Sequence, residues 1–352
     1  DLSCIIKNKY GKVEMSTSFS SNHNFSKGFF YVADGTFNFY DTEKKTAYQD
    51  CYASLNAGKT LGIGNYDSAN IIHSNGKFYL LVGTSTSNRD HFYIVDAKTL
   101  YYENSAVVGA NLSGLTILNE QYGLVTGDGI RRIDLKSLNN VRIKNERLLC
   151  FYNSIIYNGK VLSNDTYKDE SKVKYYDVNE LIAAKEGEAP AVTELDIIQK
   201  QKINFVLAKD GNVYTLESAD NGCNIVKIKN DFTLEKVFAN FQPAKGPYHS
   251  SPTIGMVASE TENIIYLVST DGAIYKYILG DSDSLKAPFI AAESGVSITA
   301  PLQLNQQSGE LYVTYTEELK DESKIVVYSK DGKVLHTVDC GESVPSQILF
   351  NN

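Results

Sequence analysis

The sequence contains no tryptophan, only 7 prolines in 352 residues and no uninterrupted apolar run of 18 residues. Without tryptophan it cannot carry the Asp-containing turns, ending in Trp, that repeat in sialidases. Without a long apolar run it has no helix able to span a membrane. Acidic residues outnumber basic ones, 42 to 34, and the net charge of -8 argues against a nucleic-acid partner.

Motifs for metal binding and catalysis are also missing. The five cysteines include no C-x-x-C pair, which excludes a zinc ribbon or a thioredoxin-type site. Cys150 and Cys223 fall in apolar runs and are expected to be buried, whereas Cys51 and Cys340 could form a disulfide if the chain ends meet. No two of the five histidines are three or four residues apart, and there is no G-x-S-x-G. We therefore predict no metal and no cofactor, although His73 could line a central channel.

What the sequence does contain is β-forming residues in a repeated pattern. Tyrosine is frequent, at 24 residues, and favours strands together with Val, Ile and Thr. Residues 76–100, GKFYLLVGTSTSNRDHFYIVDAKTL, show the unit: an apolar run, a polar loop, a second apolar run and a turn. Asp-Gly pairs such as Asp210-Gly211 and Asp271-Gly272 stand where tight turns are needed.

Seven such units of about four strands follow one another over residues 28–339. The predicted strands include the inner strands 147–153 of the fourth unit and 301–306 of the seventh, and the outer strand 288–293 of the sixth. The first unit lacks its inner strand, and one spare strand, 345–351, ends the chain. We therefore predict an all-β fold, a seven-bladed β-propeller with four-stranded blades, whose ring is closed by the C-terminal strand pairing into the first blade. Residues 1–25 are an N-terminal arm and 26–352 one propeller domain. Two stacked β-sandwich domains are the alternative. They do not explain why one strand is missing from the first unit and one spare strand is left at the end of the chain.

Ligands of propellers usually meet the loops at one mouth of the central channel, which we call the top face. The predicted top-face loops are 52–66, 84–90, 167–172, 242–252 and 293–299. Tyrosine and asparagine there offer flat stacking area and hydrogen bonds, which suit a small polar ligand. Ordinary long loops with scattered aromatics remain the alternative. The predicted ligand-binding residues are Asn56, Lys59, Asn65, Tyr66, Arg89, Tyr167, Tyr248 and His249.

Residues 28–100 also carry a family resemblance. A strand pair ending in Tyr40-Asp41 precedes the loop NAGKTLG at 56–62, followed by G-K-x-Y at 76–79 and V-D-A-K-T at 95–99. This pattern resembles the Bacteroidetes surface β-propellers that include the BtuG-type vitamin B12-binding lipoproteins. Two positions depart from it, because Ile63 replaces the usual acidic residue and Ala33-Asp34-Gly35 replaces N-E-G.

The resemblance implies a noncatalytic protein on the outer-membrane surface, anchored by lipid. It would capture a corrinoid or another scarce nutrient and pass it to a TonB-dependent transporter. Because the first residue is Asp and no signal peptide is seen, we expect the N-terminal segment that carries the anchor to precede this sequence. A monomer is expected. A propeller-scaffold enzyme, such as a lyase or hydrolase, and a protein-interaction or adhesion propeller remain alternatives.

Overall fold

The strands form seven consecutive antiparallel sheets, which are the blades of a propeller. The computed structural model describes residues 6–7, 13–14, 23–59, 61, 68–83, 89–110, 112, 114–127, 129–144, 154–164, 171–188, 190–200, 204–244, 255–317 and 322–351. Each blade is named by its order in the chain, and its strands are called inner, second, third and outer. The predicted fold class, a seven-bladed β-propeller of four-stranded blades, is confirmed, with departures in blades six and seven.

The strand bounds, from inner to outer, are as follows. Blade one has Pro345–Leu349, Gly28–Ala33, Thr36–Asp41 and Thr46–Tyr48; blade two has Ser68–Ser74, Lys77–Gly83, Asp90–Asp96 and Tyr102–Gly109; blade three has Gly114–Ile117, Tyr122–Gly127, Gly129–Asp134 and Asn140–Lys144. Blade four has Ile155–Tyr157, Lys160–Asn164, Ser171–Asp177 and Val192–Gln199; blade five has Val206–Leu207, Val213–Ala219, Gly222–Ile228 and Leu234–Phe241. Blade six has Met256–Ala258, Ile264–Val268 and Ile274–Ile278; blade seven has Val296–Ile298 with Gln303–Leu304, then Leu311–Glu317, Glu322–Tyr328 and Val334–Gly341.

A few short elements accompany the blades. In the arm, Ile6–Lys7 pairs with Val13–Glu14. The helices are Cys51–Leu55 and Val178–Ala183, with 3-10 turns at Phe25–Lys27 and Ser282–Leu285. Among the described residues, none of these helices is long and apolar enough to cross a membrane.

The last strand closes the ring. Pro345–Leu349 runs antiparallel to Gly28–Ala33, with Tyr31 opposite Ile348. Two amides extend this connection to blade two: Gln347 Nε2 donates to the carbonyl of Ile71 at 2.7 Å, and Asn351 Nδ2 donates to that of Ala97 at 2.6 Å. The predicted closure is therefore confirmed, and it joins three chain segments that are far apart in sequence.

The hydrophobic core is divided into seven clusters, one at each junction between neighbouring blades. The cluster between blades one and two contains Phe30 and Phe78, whose ring centroids lie 5.3 Å apart. The cluster between blades seven and one contains Tyr312 and Phe29, at 4.9 Å. The middle strands are apolar on both faces because each blade packs against a neighbour on either side.

The turns between third and outer strands of blades one to three share one hydrogen-bonding pattern. Asp41, Asp96 and Asp134 end the third strands of blades one to three, and each side chain accepts backbone N–H groups two and three residues later. Four residues after each aspartate the chain is left-handed, with φ of 58° at Leu100 and 59° at Leu138. The carboxylate satisfies amides that the turn leaves unpaired, which stabilises a backbone that non-glycine residues otherwise avoid.

One predicted inner strand lies outside the described residues, and one predicted outer strand is corrected. The inner strand of blade four is Ile155–Tyr157, after the predicted run 147–153, which lies outside the described residues. In blade six the predicted outer strand 288–293 makes only one bridge, between Ile290 and Ile274, so this sheet has three strands. Pro288 lacks an N–H group and cannot donate to a ladder, which is consistent with the short contact.

The possible disulfide is also corrected. No disulfide joins Cys51 to Cys340. Cys51 belongs to the cluster between blades one and two, whereas Cys340 packs on the cluster between blades seven and one, so blade one separates them. Burial raises the pKa of Cys340 to about 12, which keeps it protonated at neutral pH. Cys223 is buried as predicted.

The closing strand gives a first test. Ile348 is 3% exposed in the last inter-blade cluster, so we expect Ile348→Ala to lower the free energy of unfolding in urea by about 2–5 kcal/mol. The control is Leu335→Ala, in the outer strand of blade seven, where the side chain is 45% exposed; its change should stay within about 0.5 kcal/mol. Equal effects of the two substitutions would contradict the closure.

Candidate functional site

The top face is the one at which second strands connect to third strands. In blade six this connection is the turn Ser269–Gly272, where Gly272 N donates to the carbonyl of Ser269 at 2.9 Å. Beside it lies a cavity of about 710 Å³, open to the surface between blades six and seven. We call it the inter-blade groove. Its described lining residues are Ala244, Val268, Ser269, Thr270, Asp271, Gly272, Ala292, Glu293, Ser294, Gly295, Val296, Ser297, Ile298 and Thr299.

One wall of the groove comes from the connection between blades five and six. Ala244 N donates to the carbonyl of Val268 at 2.9 Å, and Thr270 N donates to that of Gln242 at 2.9 Å. Pro243 forms an isolated bridge with Ser269. Residues 242–244 thus take the inner position beside the top end of blade six, while Met256–Ala258 take it lower down.

The facing wall is the inner strand of blade seven, which is split in two. Val296–Ile298 and Gln303–Leu304 both pair with Leu311–Glu317, and Pro301 lies between them. Proline cannot donate to a ladder, so the strand leaves the sheet around it. A row of hydroxyls fixes the upper piece: Thr299 Oγ1 lies 2.9 Å from Thr316 Oγ1, which lies 3.0 Å from Ser323 Oγ.

The groove carries two carboxylates. Asp271 accepts hydrogen bonds from Ser269 Oγ and, at 3.0 Å, from Ala273 N. The Ser269 hydroxyl is the main cause that lowers the pKa of Asp271, with the Ala273 amide second, so this group is charged at neutral pH. Glu293 is paired with Lys324, whose Nζ lies 3.7 Å from Oε1. Both side chains are partly exposed to solvent, and exposed ion pairs contribute little to stability.

The floor of the groove is apolar. Val268 and Ile298 are 1% and 6% exposed and belong to the cluster between blades six and seven. No His, Cys or aromatic ring is among the described lining residues, and the described part of the chain holds no group of three His, Cys, Asp or Glu side chains arranged for a metal ion. The groove therefore offers hydrogen bonds, negative charge and an apolar base.

Comparison with protein families gives one match. Residues 25–351 match the family described as "Domain of unknown function (DUF5074)". The chain belongs to this family. No curated protein matches the sequence.

The three solved structures reported next are 9–12% identical to this DUF5074 propeller, so they show the fold alone. A functionally unknown protein from Desulfotomaculum acetoxidans DSM 771 has a TM-score of 0.57 at 12% identity, covering 92% of this chain and 99% of that one. The dihydro-heme d1 dehydrogenase NirN, in complex with DHE, has 0.56 at 11%, covering 94% and 76%. The Dos1 propeller has 0.54 at 9%, covering 90% and 85%.

Of the loops predicted to form the top face, 242–252 and 293–299 contribute to the groove, through Ala244 and through Glu293 to Thr299. Arg89 is exposed and directly precedes Asp90, where the third strand of blade two begins on the top face. The predicted ligand-binding residues Asn65, Tyr66, Tyr167, Tyr248 and His249 lie outside the described residues.

Asn56 and Lys59 do not lie on the top face, contrary to the prediction. Asn56 Nδ2 donates to the carbonyl of Leu100 at 2.8 Å, and its Oδ1 accepts from Tyr102 N at 2.7 Å. Lys59 Nζ lies 4.9 Å from the centroid of the Tyr102 ring. These partners belong to the turn before the outer strand of blade two, at the opposite end from the top face. The helix Cys51–Leu55 directs the chain there, so residues 56–59 lie along the side of the ring.

Asn56 therefore has a structural role that can be tested. Asn56→Ala would leave the Leu100 carbonyl and the Tyr102 amide without their partner in a buried place, and we expect a loss of about 2–3 kcal/mol in unfolding free energy. Lys59→Ala, which removes only an exposed cation–π contact, should cost less than about 1 kcal/mol. Thermal and urea unfolding measure both. A stable Asn56→Ala protein with weakened ligand binding would restore the original prediction.

His73 gives a test by pH. Its ring packs on Phe78 at 5.1 Å, and its Nε2 is buried without a hydrogen-bond partner in the described part of the chain. Burial lowers the pKa of His73 below its ordinary 6.5. The unfolded chain thus takes up a proton at a higher pH than the folded one. The stability from this group is complete above pH 6.5 and is lost as the pH falls through the lower, folded value.

We therefore expect His73→Gln to weaken the acid dependence of the unfolding free energy between pH 7 and pH 5, measured by urea unfolding at several pH values. His23, whose pKa is also lowered mainly by burial, is present in both proteins, so the difference reports His73. An unchanged slope would show that His73 is protonated equally in both states.

Proposed function

We propose that this DUF5074 chain is a noncatalytic binding propeller that captures a small polar ligand in the inter-blade groove. The groove itself carries the proposal. Its volume of about 710 Å³ falls within the range of roughly 300–1,000 Å³ typical of small-molecule sites. Its walls are main-chain segments fixed by hydrogen bonds from three consecutive blades, so it is formed before any ligand arrives.

The side chains in the groove favour binding over catalysis. General acid–base or nucleophilic chemistry needs a base within reach of a reacting group, most often a histidine. The described lining supplies Ser269, but its hydroxyl donates to Asp271 with no histidine between them. Asp271, with its lowered pKa, is a weak base. These groups orient a ligand by hydrogen bonds and charge.

The finer part of the proposal rests on the resemblance to surface propellers of the BtuG type. On that ground we propose a corrinoid as the first ligand to test, a lipid anchor at the outer membrane, and a TonB-dependent transporter as the partner that receives the ligand.

The test is calorimetric titration with a panel of corrinoids, haem and neutral oligosaccharides. Thr270→Trp places a large side chain in the groove from an exposed position. It leaves intact the hydrogen bond that the backbone N–H of residue 270 donates to the carbonyl of Gln242. We expect the ligand that binds to lose at least about tenfold in affinity. The control, Asn221→Trp, lies in the corresponding exposed turn of blade five and should bind normally. No binding by any compound would contradict capture, and a ligand indifferent to Thr270→Trp would contradict this site.

A further inference from the structure

The inter-blade groove combines two features that together select a ligand class. Its rim bears the carboxylates of Asp271 and Glu293, and no Lys or Arg is among its described lining residues. Its lining also carries apolar side chains with accessible surface, Ala292 and Val296. Negative charge and accessible apolar surface in one groove match a molecule with a positive end on an aliphatic stem.

We propose that the groove binds an aliphatic amine, with an ammonium group at Asp271 and Glu293 and its methylene chain on Ala292 and Val296. This inference rests on the proposed function, because it assigns the ligand of the same groove. An ammonium group has three donors and no acceptor, so it pairs with carboxylates and hydroxyls but gains nothing from basic groups.

Asp271 is fixed as an acceptor. Ser269 Oγ and Ala273 N both donate to its Oδ1, which holds the carboxylate in one orientation before a ligand arrives. Prearranged charges of this kind cost little to organise on binding. An anionic ligand would meet this charge at close range and be repelled.

Glu293 can exchange its partner. Its side chain is 59% exposed, and Lys324 Nζ is 3.7 Å from Oε1, longer than a strong charged hydrogen bond. An ammonium group in the groove can therefore replace Lys324 as the ion-pair partner of Glu293 with little loss of free energy, since exposed ion pairs contribute little. The net charge of -8 adds a long-range attraction for cations.

The probes are 1,5-diaminopentane and 1,5-pentanediol, which share a five-carbon stem and differ in charge. Calorimetric titration of the wild-type protein at low salt should detect the diamine and show the diol at least about tenfold weaker. Equal affinity for the two compounds would overturn the proposal, because the stem alone would then account for binding.

The variants locate the charge. Asp271→Asn keeps acceptors for Ser269 and Ala273 but removes the charge, and should weaken diamine binding by about tenfold. Glu293→Gln should weaken it by about threefold. Asp220→Asn removes an exposed carboxylate from the corresponding turn of blade five and should change nothing. Diamine binding that is unaffected by Asp271→Asn, or that Asp220→Asn weakens equally, would overturn the proposal.

The outcomes separate this inference from the proposed function. One outcome is that a corrinoid or oligosaccharide binds, that Thr270→Trp weakens this binding, and that the diamine does not bind. This outcome would contradict the amine proposal but support ligand capture in the groove. If the wild-type protein binds none of the probes, both the amine proposal and the proposed function are contradicted.

Discussion

The pairing of Pro345–Leu349 with Gly28–Ala33 is the constraint on which the rest of the structure depends. The apolar residues form seven separate clusters, each shared by two blades, so no blade has a core of its own. A blade is stable only between two neighbours. Without the last strand, blade one would lose its inner strand, and the apolar faces of blades one and seven would be exposed to water.

A closed ring of this kind gives a precise position to side chains that come from distant parts of the sequence. The inter-blade groove takes one wall from the connection of blades five and six, a turn from blade six and the other wall from blade seven. Main-chain hydrogen bonds and the Thr299–Thr316–Ser323 hydroxyl row fix these walls. The upper part of the split inner strand of blade seven lines the groove.

The sequence predicts the seven-bladed ring well, because the number of blades stays correct even when the bounds of a single strand are wrong. The missing first strand and the spare strand 345–351 were enough to predict the closure. Individual pairings were harder: the apolar run 147–153 has the composition of an inner strand, yet Ile155–Tyr157 pairs with Lys160–Asn164. Register, which composition does not encode, decides such cases.

The site was predicted less well. Asn56 has the residue type of a ligand contact, but a buried amide can equally join two backbone groups, and only the position of Leu100 decides between these roles. The sequence around Asp271 indicates only an Asp-Gly turn. Glu293, which lines the same groove, is 22 residues away in the sequence, and no local pattern signals that the two share a groove. The predicted inner strand of blade seven begins at Pro301, whereas the strand Val296–Ile298 before this proline falls in the predicted loop 293–299.

Amide hydrogen exchange with and without 1,5-diaminopentane tests the central claim most directly, namely that a preformed groove between blades six and seven is where this propeller binds its ligand. The account predicts slower exchange confined to 268–273 and 292–299, with the strands of the other blades unchanged. Slower exchange in the loop 52–66 or around blade two, with none at the groove, would contradict it.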